Sequence, residues 1–381
     1  MSKIKFLKAT SYYNEFLNNY YFDNIFNNAL SYDINYQALM NLCYGWSDFW
    51  KINLENRGDF EVQEIVLNAK HLQKKWADEK GFKYSDSNWE KEIFLEQIKH
   101  FQPHVFFLQD VYNYHEYLID LKKAVPSIKI IIGWDGILYH RKDVFSNCNL
   151  ILSCVEDTCQ YYQASGFKTH FFKFCFEKSI LLKLKPTIKQ HPVSFTGTIF
   201  LGKGYHTQRL KLLAEIARNT TVDLWAGAFK EQNNIGLKYR LRKLMDGEFS
   251  LLRDVQTIIN QNKGGIYGLD MYQVLKDSFI AFNSHGDNSP TKAANMRLIE
   301  ATGTGACLLT DWKENLSDYF EPDSEIVTYK TASEAIEKIK YLQNHPDERN
   351  EIARAGQKRT LEKFSFEERM NDFATLIYSV L

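Results

Sequence analysis

No Asp-x-Asp pair occurs anywhere in the 381 residues, and no Cys-x-x-Cys pair either. The first absence removes the commonest carboxylate arrangement for carrying a divalent cation. The second, with no cysteine near a histidine at zinc spacing, argues against a structural zinc. The six cysteines, at 43, 148, 154, 159, 175 and 307, come without a secretory signal pattern. They are expected to be reduced, mostly buried thiols of a cytosolic protein. No apolar run reaches the roughly 18–20 residues that a membrane helix needs. Charge of either sign is not in excess: 47 Lys and Arg balance 47 Asp and Glu. No global field would draw the chain to nucleic acid or to an anionic membrane. Short repeats and low-complexity tracts are also missing.

Aromatic residues are plentiful, with 22 Tyr, 27 Phe and 7 Trp. Such numbers serve sugar-stacking surfaces or aromatic cores, and cores are the more frequent cause. The length exceeds one ordinary core, so two domains are expected.

Strands and helices alternate along most of the chain. Strands are expected at 4–9, 104–108, 128–133, 150–153 and 169–172, with residues 12–75 mostly helical. Helices are expected at 89–100, 114–124 and 156–165. A Lys-rich segment, 178–191, reads as a linker. A second series follows, with strands at 191–196, 222–225, 279–283, 306–309 and 326–329. Its helices are expected at 208–219, 271–277, 332–342 and 347–363, with a last helix from 366 to the end. Alternation of this kind implies parallel pairing and two doubly wound α/β domains. The boundaries expected are 1–177, linker 178–191, 192–365, and a C-terminal helix 366–381.

Ligands of open α/β sheets bind beyond the carboxyl ends of the strands. That rule selects Asp110, Trp134 and Asp135 in the first domain, and Gly197, Thr198, Asn283 and His285 in the second. Asp135 and Asp110 are candidates for a base, against the plainer reading of Asp135 as a turn residue before Gly136. His285 stands between Ser284 and Gly286 rather than on an apolar face, which favours a site role over a core role. His140 and His206 have weaker claims.

The most informative stretch runs from Asn295 to Asp311. It reads as a helix capped by Ser289 with Pro290 at its first position, stopped by Gly303, then a buried strand from Ala306 to Leu309. Arg297 and Glu300 are three apart and share a helix face. A cation and a carboxylate on a helix opening from a Gly/Asn/Ser/Pro loop can hold a phosphorylated ribose. The plain alternative is an ion pair on a solvated face.

Three blocks carry a family resemblance: Gly268-Leu-Asp-Met-Tyr-Gln-Val-Leu275 with Phe282-Asn-Ser-His-Gly286; Asn295 to Asp311 with Phe320-Glu-Pro-Asp323; and His345-Pro-Asp-Glu-Arg349 with Ala353-Arg-Ala-Gly-Gln357. Tyr44-Gly-Trp-Ser-Asp48, Phe107-Leu-Gln-Asp110 and Gly133-Trp-Asp135 add to it. The chain resembles bacterial glycosyltransferases of the GT-B type, in the "glycosyl transferases group 1" superfamily, and within it the spore-maturation-protein-like branch. The resemblance implies two Rossmann-like doubly wound domains facing a central cleft, with C-terminal helices crossing back to the first. It implies transfer of a hexose-like sugar from a nucleotide-sugar, in the UDP or GDP form, to a carbohydrate, glycolipid or glycoprotein acceptor, with retention. No separate cofactor is implied. Glu300 matches the carboxylate that holds the donor ribose. Arg297 would meet phosphate or orient Glu300. A Gly197-Thr198 turn would let backbone N–H groups approach the diphosphate, with Lys203 or Arg209 as cationic partner, and Asn283, His285 and Asn295 nearby. Many relatives carry two glutamates eight apart on this helix, and here the earlier position is Lys292.

With no Asp-x-Asp, a metal-independent reaction is expected, in which Arg, Lys and backbone dipoles carry the leaving group. Two decoys fail on residue type. Gly197-x-x-x-x-Gly202-Lys203 is followed by Gly204 where a P-loop needs Ser or Thr, and Gly202-x-Gly204 lacks the third glycine of a dinucleotide fingerprint. The basic stretch 238–245 is a candidate contact for the inner membrane face or simply a solvated helix face. The segment Tyr44–Trp50 would stack on an acceptor sugar or pack the first domain. Rival functions are a nucleotide-sugar epimerase of the same shape and a non-catalytic sugar-binding module.

Overall fold

The computed structural model describes residues 3–23, 25–136, 141–200, 207–227, 247–286 and 290–381. The chain divides into two compact units, Met1–Lys173 with Phe366–Leu381, and Phe174–Ser365. The last helix, Phe366–Val380, thus belongs with the N-terminal unit. Segment 178–191, read above as a linker, belongs to the second unit. A helical turn at Ile180–Lys183 and the Lys189 ammonium, which donates to the carbonyls of Ser278 and Gly305, fasten it there.

The first unit is a six-stranded sheet in the order β2-β1-β3-β4-β5-β6. The strands are β1 (Ile4–Thr10), β2 (Phe60–Val66), β3 (Val105–Leu108), β4 (Ile130–Trp134), β5 (Leu150–Ser153) and β6 (Thr169–Phe171). All neighbours are parallel. Alternation along β1 sends Leu7 and Ala9 into one core with Phe94, Ile98 and Phe106. It sends Phe6 into the other, an aromatic core of Trp50, Phe107, Phe172 and Phe373. Trp46, Phe49 and Trp50 are buried, so the segment 44–50 packs this unit. The aromatic wealth is therefore spent largely on core.

Two expectations fail in this unit. Residues 12–75 carry the expected helices, but β2 lies among them and was not expected. Phe60-Glu-Val-Gln63 alternates, Glu64 interrupts the pattern, and the strand finds all seven partners on β1. The expected helix at 114–124 breaks into Val111–Tyr114, a 3-10 turn at His115–Leu118, and Leu121–Ala124. Ile119 is extended and Asp120 left-handed, with φ of 59°, which interrupts the helical ladder.

The second unit is a five-stranded sheet in the order β11-β10-β9-β7-β8. Its strands are β7 (His191–Thr198), β8 (Asp223–Gly227), β9 (Ser278–Asn283), β10 (Cys307–Asp311) and β11 (Val327–Tyr329), all parallel. A helix spans Phe249–Gln261, between β8 and β9, where no element is expected from the sequence. One core packs Val193, Ile280, Phe282, Cys307 and Leu309 against the helices Thr207–Asn219 and Ala332–Asn344. All six cysteines are free, five of them buried, and burial pushes the Cys307 thiol up to about 12.

The helix after β9 is shorter than expected. It spans Arg297–Gly303, so Pro290 is not its first residue. The backbone of 290–293 is claimed from outside instead: Lys313 donates to the Pro290 carbonyl, Glu314 N–H to that of Thr291, and the Asn315 amide accepts from Ala293 N–H. Asn295 takes over the capping task by accepting from Leu298 N–H. Ser289 lies outside the described residues. Gly303 sits inside the helix, and the positive φ falls two residues later, at Gly305 (83°). What Gly303 supplies is space: a β-carbon there would lie 2.5 Å from the buried Phe176 ring.

Candidate functional site

Strand order reverses once in each sheet, between β1 and β3 and between β9 and β7. Open parallel sheets take ligands at such switch points, beyond the strand carboxyl ends. In the first unit this places Ser11 beside Asp110, and the Ser11 hydroxyl donates to the Asp110 carboxylate. Asn113 donates to both Asp110 oxygens at 3.0 Å. Asp110 is half-buried. Asp135 lies one strand further on and is wholly buried. Its Oδ2 accepts from the hydroxyls of Tyr162 at 2.8 Å and Tyr112 at 3.1 Å. Burial and the Asp135 charge push both phenols well up. Of the two aspartates picked from sequence, Asp110 is the one that stays partly exposed.

In the second unit the switch point lies at the ends of β7 and β9. The Gly197-Thr198 turn expected from sequence is strand, because β8 continues to Gly227 and pairs Gly197 with Ala226 and Thr198 with Gly227. Arg209 is buried and donates to the carbonyls of Thr198 and Ser284 at 2.8 and 2.6 Å. It thereby clamps the two strand ends together. Lys203, His206, His140 and the basic stretch 238–245 lie outside the described residues.

Two polar groups grow from these ends. The first joins Asn283, Asn295 and the helix carrying Glu300. Asn283 donates to Thr310 Oγ1 at 2.9 Å, and Asn295 donates to Asn283 Oδ1 at 3.0 Å. Glu300 is only 7% exposed, so the solvated-face reading is excluded. Its Oε2 pairs with Arg297 at 2.7 Å, and its Oε1 accepts from the Tyr272 hydroxyl at 3.3 Å. Arg297 Nε is buried without a partner, which leaves a donor available beside the carboxylate. Lys292, in the position of the earlier glutamate, pairs with Glu314 at 3.1 Å.

The second group centres on His285 and Asp311, which β9 and β10 bring together. His285 Nδ1 lies 2.7 Å from Asp311 Oδ1, and its backbone N–H donates to the same oxygen at 2.9 Å. Lys313 pairs with the other oxygen at 3.2 Å. Burial would raise the Asp311 carboxyl, but the His285 hydrogen bonds and the charges of His285 and Lys313 outweigh it and bring it down to about 2. A depressed carboxyl stabilises the fold above its ordinary value, 3.8, and that stabilisation is lost as pH falls toward 2. The shift is worth about 2 kcal/mol. Asp311→Asn should therefore narrow the stability gap between pH 6 and pH 2 by about that amount in denaturant titrations, whereas an unchanged gap would remove the assignment.

Sequence reasoning named His285 and missed Asp311, Lys313, Tyr272 and Ser11. Asp311 directly follows an apolar strand, so the strand-end rule that picked Asp110 would have found it. Ser11 and Tyr272 are visible only once the fold brings their partners to them.

A cavity of about 780 Å3 opens at the second group, lined by Arg209, Lys211, Ser284, His285, Asp311, Lys313, Tyr329 and Lys330 among others. Glu300, Arg297 and Asn295 do not line it. The crossovers β7 to β8 and β9 to β10 run in opposite directions across the sheet. Right-handedness therefore puts helices 207–219 and 297–303 on opposite faces. The two polar groups share the strand ends. Among the described residues no cluster of three or more His, Cys, Asp or Glu is arranged to hold a metal ion. No described helix is long and apolar enough to cross a membrane.

Known proteins share this architecture over their full length. HepE of Anabaena, solved in complex with UDP-glucose, matches with a TM-score of 0.57 at 10% identity, covering 99% of this chain and 100% of that one. The fold is GT-B. A glycosyltransferase from Rickettsia africae matches equally well, with a TM-score of 0.57, 10% identity, and coverage of 100% and 99%. Sucrose-phosphate synthase from Thermosynechococcus elongatus gives 0.56 at 9% identity, covering 99% of each chain. At such identities the likeness is one of fold. In sequence, residues 212–375 match the family described as Glycosyl transferase-like, and that segment contains Tyr272, Asn283, His285, Asn295, Arg297, Glu300 and Asp311. No match was found among curated proteins.

Proposed function

We propose that this GT-B chain is a glycosyltransferase that moves a sugar from a nucleotide-sugar to an acceptor hydroxyl, with Glu300 holding the donor ribose. The observation that carries the reading is the buried Glu300 carboxylate. It is braced by Arg297 and Tyr272 beside the switch point of the second sheet, inside the segment that matches the Glycosyl transferase-like family. A carboxylate in that place accepts from vicinal sugar hydroxyls, and the Arg297 Nε donor beside it suits phosphate. The UDP-glucose complex of HepE favours a UDP-sugar as the first donor to try.

In the reaction the anomeric carbon–phosphate oxygen bond breaks and a bond to the acceptor oxygen forms. The acceptor proton leaves, and negative charge gathers on the departing nucleoside diphosphate. Stabilising that charge is the main electrostatic task. Arginine, lysine and backbone N–H groups would do it without a metal. Asp110, held by Asn113 and Ser11 at the switch point of the first sheet, is the favoured group for receiving or orienting the acceptor proton. Retention of configuration, a hexose as the transferred sugar, membership of the spore-maturation-protein-like branch and a role in surface polysaccharide, glycolipid or glycoprotein assembly at the cytoplasmic side belong to the same proposal. They rest on the motif resemblance.

Incubation with UDP-, GDP-, CMP-, ADP- and dTDP-sugars tests it. The expected result is slow release of one nucleoside diphosphate, faster when an acceptor is added. Interconversion of donors would make the protein an epimerase, and saturable binding with no turnover would make it a binding module.

A further inference from the structure

At the end of the second sheet opposite the candidate site, segment 178–190 is fastened beside the amino-terminal ends of β9 and β10. Lys189 donates there to the carbonyls of Ser278 at 2.6 Å and Gly305 at 2.9 Å. The Lys185 N–H donates to Gln273 Oε1 at 2.8 Å, and Lys276 donates to the Lys185 carbonyl at 2.6 Å. The Thr187 hydroxyl donates to the Asp277 carboxylate. Ile180 and Leu184, one helical turn apart, are buried on the inner side. A loose loop could fold its apolar side chains back, but this one is held by both backbone and side chains.

What it holds outward is aliphatic and cationic. Leu182 is 88% exposed and Ile188 86%, more than any other large hydrophobic side chain among the described residues. A single exposed leucine carries no message, because much of any protein surface is apolar. Here two such side chains lie in a stretch that has lysines at 178, 183, 185 and 189 and no Asp or Glu from 178 to 190. Lys178, Lys183 and Lys185 are exposed, and Lys276 adds a cation beside Lys185. The neighbouring acids turn inward. Glu177 is buried and accepts from the Ser179 N–H, and Asp277 is buried and accepts from Thr187 and Gln273. Asp270 lies in the first turn of helix 268–276, whereas the segment bonds to Gln273 and Lys276 near its other end.

Lysines interleaved with bare aliphatic tips suit a partner that is anionic at its surface and apolar just beneath it. Ammonium groups on long stems stay with the charged layer while leucine and isoleucine pass below. Nucleic acid would meet the lysines and offer no apolar layer to the other two side chains. We propose that segment 178–190 is a docking surface for an anionic lipid bilayer, with Leu182 and Ile188 entering the acyl boundary and Lys178, Lys183, Lys185 and Lys276 meeting the headgroups. The contact is peripheral, since no described helix is long and apolar enough to cross. It uses residues other than the basic stretch 238–245, and it does not depend on the transfer reading.

The full chain is sedimented at low salt with vesicles of equal parts phosphatidylglycerol and phosphatidylcholine, and with vesicles of phosphatidylcholine alone. Saturable binding to the mixed vesicles is expected, at least about tenfold stronger than to the neutral ones and weakened by added salt. Lys183→Gln/Lys185→Gln and Leu182→Ser/Ile188→Ser should each bind at least about tenfold more weakly. Both should keep the parent's Tm, because only exposed side chains change. A nitroxide on Leu182→Cys, read against the labelled parent to allow for the partly exposed Cys148, should lose its access to water on the mixed vesicles. No binding, equal binding to neutral vesicles, undiminished binding of both double variants, or a nitroxide still in water on vesicle-bound protein would each overturn the proposal. Binding to polyglutamate with none to vesicles would make this a surface for an acidic protein and overturn the lipid assignment.

Discussion

Glu300→Gln is expected to weaken nucleotide-sugar binding by about ten- to hundredfold and to cut transfer at low donor concentration in proportion. The reasoning starts from charge. A carboxylate accepting from sugar hydroxyls makes hydrogen bonds worth about 1.5–3 kcal/mol, and each 1.4 kcal/mol is a tenfold change in affinity. Glutamine keeps the shape and removes the charge. It also releases Arg297, which now pairs with Glu300 at 2.7 Å while both side chains are largely buried. Some fold stability is therefore lost with the ribose contact, and the two must be separated. Unfolding of the ligand-free variant reports the first. The added stabilisation at saturating donor reports the second, because a ligand stabilises only through its affinity for the native state. Arg297→Gln separates the roles further. If Arg297 chiefly orients Glu300, that variant loses less donor affinity than Glu300→Gln. If it meets phosphate itself, the losses are similar.

Lys8→Met should cost the first unit about 3–5 kcal/mol, the scale for removing one partner of a buried ion pair. Lys8 and Glu64 lie side by side on β1 and β2, 1% and 3% exposed. The Lys8 ammonium donates to the Glu64 carboxylate and, at 3.1 Å, to the Ser47 carbonyl, and the backbone N–H of Lys51 donates to the other Glu64 oxygen at 2.9 Å. Without Lys8 the glutamate is a buried, uncompensated charge. Burial already pushes its carboxyl up to about 6 in spite of Lys8. A raised carboxyl binds its proton more tightly in the native state, so the folded form gains relative stability as pH falls through that value. The variant's deficit should therefore be largest at neutral pH and shrink on acidification. Lys8→Met combined with Glu64→Leu should recover most of the loss, since a packed apolar pair is often as stable as a buried ionic one. Denaturant titrations of the single and double variants decide the matter. A single variant as stable as the parent would contradict it.

The strand series was largely legible because parallel strands covered on both faces are written as apolar runs. Leu150–Ser153 needed no adjustment, and Cys307–Asp311 was off only at its ends. β2 was obscured because Glu61, Gln63 and Glu64 break the apolar run, and one of these polar groups is buried by the Lys8 pairing, which no local pattern reveals. The helix after β9 was read too long because Ser289 and Pro290 are strong start signals. Contacts from Lys313, Glu314 and Asn315, some 20 residues away, override them. Of the site, Glu300, Arg297, Asn295, Asn283 and His285 were legible from capping, spacing and strand ends. Arg209 was legible as a cation, yet its bonds to the Thr198 and Ser284 carbonyls are tertiary. Asp135 looked like an open strand-end acid, and only the tyrosine pair shows it closed.

Calorimetric titration of the parent chain and Glu300→Gln with the nucleotide-sugar that the parent binds most tightly tests the ribose assignment most directly. Saturable binding to the parent, weakened about ten- to hundredfold in the variant, is the predicted result. Equal affinity in the two proteins would show that Glu300 does not hold the donor, and the proposed site would have to be abandoned.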